Sequence, residues 1–285
     1  MMFDVTVRPA APADLPPVLA ALYGAPEEDV AWMADTLSAA WTAHAPGGEV
    51  LGAVGLRPSP ANGAELLGGA LAHPQGRDHE DAVGAALART AHLEGGRVYA
   101  FADGHLFSAA ALREAGYREA AAYRLLAGPT PQAAPQVPPG FVLRPLTDVP
   151  DLATRLDALA TYEDRLGHHA VSPAAAGDGA GGYDPALSLI ALDASGRAAG
   201  ICRAAPEEGY ARIDAPGVRP DLRHGGPAAG GDLRAALLLG VCALARARGF
   251  GDVSVEGWGN TPAELAAELA LGLEVEIENP IYVAP

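Results

Sequence analysis

Residues 217–249 read GVRPDLRHGGPAAGGDLRAALLLGVCALARARG. A short apolar run ends at Val218, and Pro220, which has no amide N–H, predicts that the strand stops there. Glycines at 225, 226, 230 and 231 let successive backbone N–H groups turn into one concavity. The helix predicted over 232–248, with Asp232 as its N-cap, adds the partial positive charge of its N-terminus. A strand, a glycine-rich turn and a long helix in this order suit the cradling of a pyrophosphate.

Working outward, the pattern occurs twice. VTVRPAAPADLPPVLAAL (5–22) matches VLRPLTDVPDLATRLDAL (142–159): a β-branched run, Arg-Pro, a turn, then Asp-Leu opening an amphipathic helix. Asp14 and Asp151 are placed to cap those helices. EVLGAVGLRP (49–58) matches RAAGICRAAP (197–206), each following a hairpin turn, at Gly47-Gly48 and at Ser195-Gly196. Each half then has a strand ending near a proline, a turn and a helix (82–94 and 232–248), and next a short strand (97–101 and 252–257). A short helix, a glycine (Gly116 and Gly272) and a last strand (120–126 and 276–283) complete it. The alternation predicts an α/β chain of two tandem units, 1–127 and 141–285, each a mixed β-sheet with helices on both faces. The proline-rich segment 128–140 would be an extended linker. VSPAAAGDGAGGY (171–183) reads as a mobile loop inside the second unit.

The residues Val218, Pro220, Arg223, Gly226 and Ala228 fit in order the signature Val-x-Pro-x-x-(Arg/Gln)-x-x-Gly-x-(Gly/Ala). On that match the chain resembles the acyl-CoA N-acetyltransferases of the GNAT superfamily. By order of elements it is similar to tandem GNAT proteins of the mycothiol-synthase type, in which the C-terminal copy is typically the active one. The resemblance implies that backbone amides of Arg223, His224, Gly225, Gly226 and Ala228 hold the pyrophosphate of acetyl-CoA. It implies too that the strand ending at Val218 splays from strand 252–257 to admit pantetheine, with Asn260 set against it. The first leucine after the loop, Leu233, comes two residues later than the family pattern places it. The first copy keeps Pro74, Arg77 and Ala82 but carries Glu80 in the place of Gly226, flanked by Asp78 and Asp81. Its carboxylates would repel a phosphate, so the first copy is expected to be scaffold.

Acetyl transfer needs a base for the amine, a donor for the oxyanion and an acid for the thiolate. A strand N–H near Val218 would serve the oxyanion. Asp214 is the first choice of base and Glu256 the second. The family's tyrosine acid stands four residues before the glycine, a place taken here by Glu268 and Leu112, and Glu268 reads as a solvated helix residue. Tyr282 or Tyr210 could substitute. His168, His169, Glu163 and Asp164 lie on the acceptor side without a metal-ligand pattern, so no metal is expected. Trp32, Trp41 and Trp258 read as core or cleft-wall aromatics.

Composition narrows the functions. The net charge is −16 and all 19 basic residues are arginine, which argues against a phosphate-rich nucleic-acid partner and favours a cationic one. No apolar run reaches membrane-spanning length and the first residues lack a secretory pattern. Two cysteines, Cys202 and Cys242, give no disulfide framework. The expectation is a cytoplasmic, monomeric N-acetyltransferase that uses acetyl-CoA on a primary amine of a small molecule. The alternative is a catalytically inactive tandem module serving as an acyl-CoA sensor or interaction scaffold.

Overall fold

The computed structural model describes residues 4–223 and 232–284. The described chain forms two compact units: 1–122 with 279–285, and 123–278. The first unit runs β1 (Thr6–Ala10), α1 (Pro16–Tyr23), α2 (Glu27–Asp35), β2 (Ala39–His44), β3 (Val50–Ser59), β4 (Gly63–Ala70), α3 (Arg77–Gly95), β5 (Val98–Phe101), α4 (Ala109–Glu114) and the start of β6 (Arg118–Pro129). The second takes up the rest of β6, then β7 (Phe141–Pro145), α5 (Leu152–Leu159), β8 (Leu189–Asp193), β9 (Ala198–Cys202), β10 (Ala204–Pro206), β11 (Tyr210–Asp214), β12 (Gly217–Val218), α6 (Pro220–Arg223), α7 (Asp232–Ala247), β13 (Asp252–Trp258), α8 (Pro262–Ala270) and the start of β14 (Glu274–Ala284).

In the first unit β1, β2, β3 and β4 form an antiparallel meander, and β4 pairs parallel with β5. Strand alternation puts Trp41, Ala43 and Leu51 under α3, whose Val83, Leu87, Ala88 and Ala91 recur at helical spacing. The opposite face, with Ala40, Ala53 and Leu67, is covered by Leu15, Leu19 and Leu22 of the first helical segment and by Val30 and Met33 of α2.

The second unit repeats this. In β8, Leu189 and Ala191 face Leu233, Leu237 and Val241 of α7, while Ile190 faces Ala158 and Leu159 of α5. In the second unit the antiparallel sheet β7–β8–β9–β12 has helices on both faces, and the parallel pair β11–β13 lies in a second sheet with β10 and β6.

Several expectations shift. The last strands are exchanged. Residues Tyr123–Pro129 of β6 pair antiparallel with β13 in the second unit, and Ile281–Ala284 of β14 pair with β5 in the first. The compact units thus differ from the boundaries 127 and 141 read from the sequence, and strand extends to Pro129 inside the expected linker. Asp151 caps α5, accepting from the Thr154 amide at 2.9 Å. Asp14 caps nothing: it sits in a 3-10 turn, and α1 begins Pro16-Pro17, whose nitrogens have no hydrogen to give. Trp41 is buried and donates to Glu94, whereas Trp32 is 54% exposed and outside the core.

Segment 171–183 is fastened rather than loose. It carries two short 3-10 turns, and the buried Arg155 holds the Ala176 carbonyl at 3.1 Å and Asp178 at 2.6 Å. Among the described residues no helix is long and apolar enough to cross a membrane.

Candidate active site

The site grows from the place where two parallel strands part. β11 and β13 run in register from Tyr210 opposite Asp252 to Asp214 opposite Glu256. A last bond follows, from the Ala215 amide to the Glu256 carbonyl at 3.0 Å. Pro216 then has no donor to continue the ladder. The chain turns away, and β12 pairs with β9 instead, Gly217 opposite Ile201 and Val218 opposite Gly200. Arg219 donates its amide to Ala199, so strand alternation turns the Val218 amide to the other edge, away from β9. Gly217 permits the close seat of β12: a Cβ there would lie 2.4 Å from Thr161 Oγ1 and 2.9 Å from the Tyr162 ring.

Alternation also sorts the side chains. Ala211, Ile213, Val253 and Val255 face the core. Arg212, Asp214, Ser254 and Glu256 share the other face. That face carries a depression of about 660 Å³ lined by Glu208, Arg212, Asp252, Ser254, Glu256 and Glu276.

Asp214 is buried and ion-paired, with Arg203 Nη2 donating to its Oδ2 at 2.7 Å. The Arg203 guanidinium lies 4.0 Å over the Tyr183 ring and 5.7 Å from that of Tyr162. Glu256 is differently placed. Burial raises its affinity for a proton, Arg212 Nη1 at 3.4 Å opposes this, and Asp214 reinforces it. Of the two carboxylates, Glu256 is the better placed to take a proton and Asp214 is engaged by Arg203. Burial pushes Tyr123 and Tyr183, whose hydroxyls neighbour Glu256, up to about 12.

His168 is not an exposed polar residue. It stacks on Tyr162 at 5.0 Å and meets Trp258 edge-on at 5.9 Å, and burial lowers it to about 4. Glu163 accepts from the Val171 amide at 2.9 Å. Among the described residues no group of three or more His, Cys, Asp or Glu side chains is arranged to hold a metal.

On the other side of the parting lies a buried polar cluster. Arg234 of α7 donates Nη1 to the Pro216 carbonyl at 2.6 Å and Nη2 to Glu268. Its Nε lies 3.5 Å from Glu264. Arg165 holds Asn260 Oδ1 at 3.1 Å and Glu264 at 2.8 Å. Asn260 donates Nδ2 to both Glu268 oxygens at 3.1 Å and packs against Gly257. Glu268 is therefore not solvated: it is 2% exposed and held by Arg234 and Asn260. Asn260, expected against pantetheine, has its amide engaged within this cluster.

Arg165 and Arg234 leave no sequence signal, because their partners are far along the chain. Glu264 did leave one: Thr261-Pro-Ala-Glu264 is a capping box, and both of its bonds are present. Burial opposes its charge, but Arg234 and Arg165 outweigh it and hold the carboxyl down at about 2. A depressed carboxyl contributes stability that is full above its ordinary 4.5 and is lost as pH falls through about 2. Urea unfolding across that window should therefore show a flatter pH dependence in Glu264→Gln than in the parent; equal slopes would refute it.

Arg223 closes α6. His224, Gly225, Gly226 and Ala228, expected at the pyrophosphate, lie outside the described residues. Tyr282 belongs to the first unit, where Arg113 donates to its hydroxyl at 2.5 Å. Tyr210 opens β11, roughly 13 Å along the strand from Asp214 at the usual rise per residue.

In the first unit the corresponding features are filled by the chain itself. β4 pairs with β5 only at Ala64 and Glu65. Beyond them the loop before α4 fits so closely that a Cβ on Gly69 would lie 2.5 Å from the Leu106 carbonyl oxygen. Glu80 accepts from the His73 amide at 3.0 Å and pairs with Arg77 at 3.5 Å. A carboxylate thus bonds a loop amide of the kind that would face a phosphate. Glu80→Ala should cost about 1–2 kcal/mol in urea unfolding and add no acetyl-CoA site; a second site per chain would contradict this.

An antiparallel meander followed by a parallel pair of strands that stay together for only a few residues, present in each unit, decides the fold. The fold is that of the GCN5-related N-acetyltransferases. No protein-family profile matches the sequence, and no curated protein does. Among solved structures the chain is similar to a GCN5-related N-acetyltransferase from Sphaerobacter thermophilus, with 21% identity and a TM-score of 0.55 over 99% of this chain and 96% of that one. It is similar to a tandem GNAT protein from the clavulanic acid biosynthesis pathway, with 17% identity and a TM-score of 0.50 over 99% and 98%. A GCN5-related N-acetyltransferase from Anabaena variabilis aligns with 12% identity and a TM-score of 0.56 over 98% and 72%. The alignment with the tandem structure runs over nearly the whole of both chains, in keeping with two units of this fold here.

Proposed function

We propose that the second unit is an N-acetyltransferase that moves an acetyl group from acetyl-CoA to a primary amine of a small molecule. The observation that carries this reading is the parting of β12 from β13 at Ala215–Pro216. A pantetheine arm would run through that parting, with Val218 beside it and the 223–228 segment at its pyrophosphate. The Val218 amide would donate to the oxyanion. At the mouth, Glu256 would take the proton from the attacking amine. The four carboxylates around the depression, against one arginine, would draw a cationic acceptor.

Calorimetric titration with acetyl-CoA, followed by turnover with a panel of amines, tests this. One site per chain with turnover supports it, and the absence of binding refutes it. A second reading, an inactive acyl-CoA sensor or scaffold, is favoured by the engaged Asn260 and the missing tyrosine at position 268. Turnover that a Glu256 substitution removes would exclude it.

A further inference from the structure

We infer that Arg234 stabilises the departing thiolate of coenzyme A as an ion pair, in place of a proton donor on α8. The inference rests on the acetyltransferase reading. Position 268 carries a carboxyl group engaged by both Arg234 and Asn260, so it is turned to them and not offered to sulfur. The Asn260 amide is turned to Glu268, and Arg165 is turned to Asn260 and Glu264. Arg234 reaches the parting from the α7 side. Its Nη1 bonds the carbonyl of Pro216, two residues before Val218.

Arg234 is 8% exposed, and at such a buried site a fixed charge acts with little screening. The charged groups packed around it are Glu264, Glu268 and Arg165, two acids and one further base, so the cluster is neutral before reaction. A thioester sulfur leaves as an anion without a proton donor if that anion is stabilised.

The step balances without an acid. The amine lone pair forms the C–N bond, and the carbonyl electrons pass to oxygen beside the Val218 amide. Collapse returns them and sends the C–S pair to sulfur, which leaves as thiolate against Arg234. The proton on nitrogen goes to Glu256, and solvent protonates the thiolate after release.

The test needs no turnover. Coenzyme A bound to the protein is titrated with pH, and the thiolate is followed by its ultraviolet absorbance. In the parent protein the bound thiol should ionise at lower pH than free coenzyme A. In the charge-neutral double substitution Arg234→Met with Glu268→Met, its acidity should fall about tenfold or more, one pKa unit. Glu268→Gln alone, which keeps the guanidinium, should leave the bound thiol at least as acidic as in the parent. If the double variant binds coenzyme A and titrates like the parent, the inference is overturned. It is also overturned if Glu268→Gln raises the thiol as the double variant does, since the pair would then be structural only. A parent protein that binds no coenzyme A overturns the acetyltransferase reading itself.

Discussion

Replacing Glu256 with glutamine is expected to lower turnover of acetyl-CoA with an amine by about 100-fold or more, the usual scale for losing a general base. Acetyl-CoA affinity should hold within a few-fold, because Glu256 lines the depression proposed for the acceptor and not the segment proposed for coenzyme A. Burial raises the Glu256 pKa, so the base form accumulates at higher pH than in an exposed glutamate. Activity in the parent should rise with pH through that raised value. This acidic limb should vanish in Glu256→Gln, because the amide does not titrate. A variant that keeps both its rate and its acidic limb would remove Glu256 from the chemistry. Asp214→Asn is expected to act differently. It leaves the Arg203 guanidinium without its carboxylate at 2.7 Å, so stability should fall together with activity.

The largest effect on folding is expected from Arg155. Its guanidinium donates to the carbonyls of Val149 at 2.6 Å, Leu146 at 2.6 Å and Ala176 at 3.1 Å. Arg155→Met keeps the aliphatic bulk and leaves those carbonyls without that partner, at a cost of about 3–5 kcal/mol in urea unfolding. The exposed Asp178 adds little to this. Arg155→Lys should rescue only part, because an ammonium lacks the planar fork that reaches several acceptors at once. A loss below about 1 kcal/mol would mean that water replaces the guanidinium. The same variant should reduce activity, because the segment Arg155 fastens leads to Tyr183, which lies over Arg203 beside Asp214.

Local punctuation made most of the fold legible. Proline at 220 and an apolar helical period from Leu233 mark a strand end and a helix, and β12 ends at Val218 while α7 begins at Asp232; the glycines between them lie outside the described residues. The repeat placed the elements of both units, because the same order recurs. What stayed hidden depends on partners distant in sequence. The strand AAAYRLL is apolar enough to pair on either side, and nothing local says that it joins β13. Glu268 looks solvated on its own helix until Arg234, on another helix, is brought to it. Asp14 is a different case. The two prolines after it already ruled out a capped amide, and the structure shows that consequence.

The exchange of last strands bears on how the chain is made. β5 finds its antiparallel neighbour in residues 281–284, which leave the ribosome after the whole second unit. Until then its edge presents open N–H and C=O groups, a template for pairing with another nascent chain. The first half to be synthesised is therefore the last to be completed. A fragment ending at residue 127 would lack a strand of its own and carry most of one belonging to its neighbour. Each unit takes its last strand from the far side of the sequence boundary, so fragments split at residue 127 should gain structure together that neither attains alone.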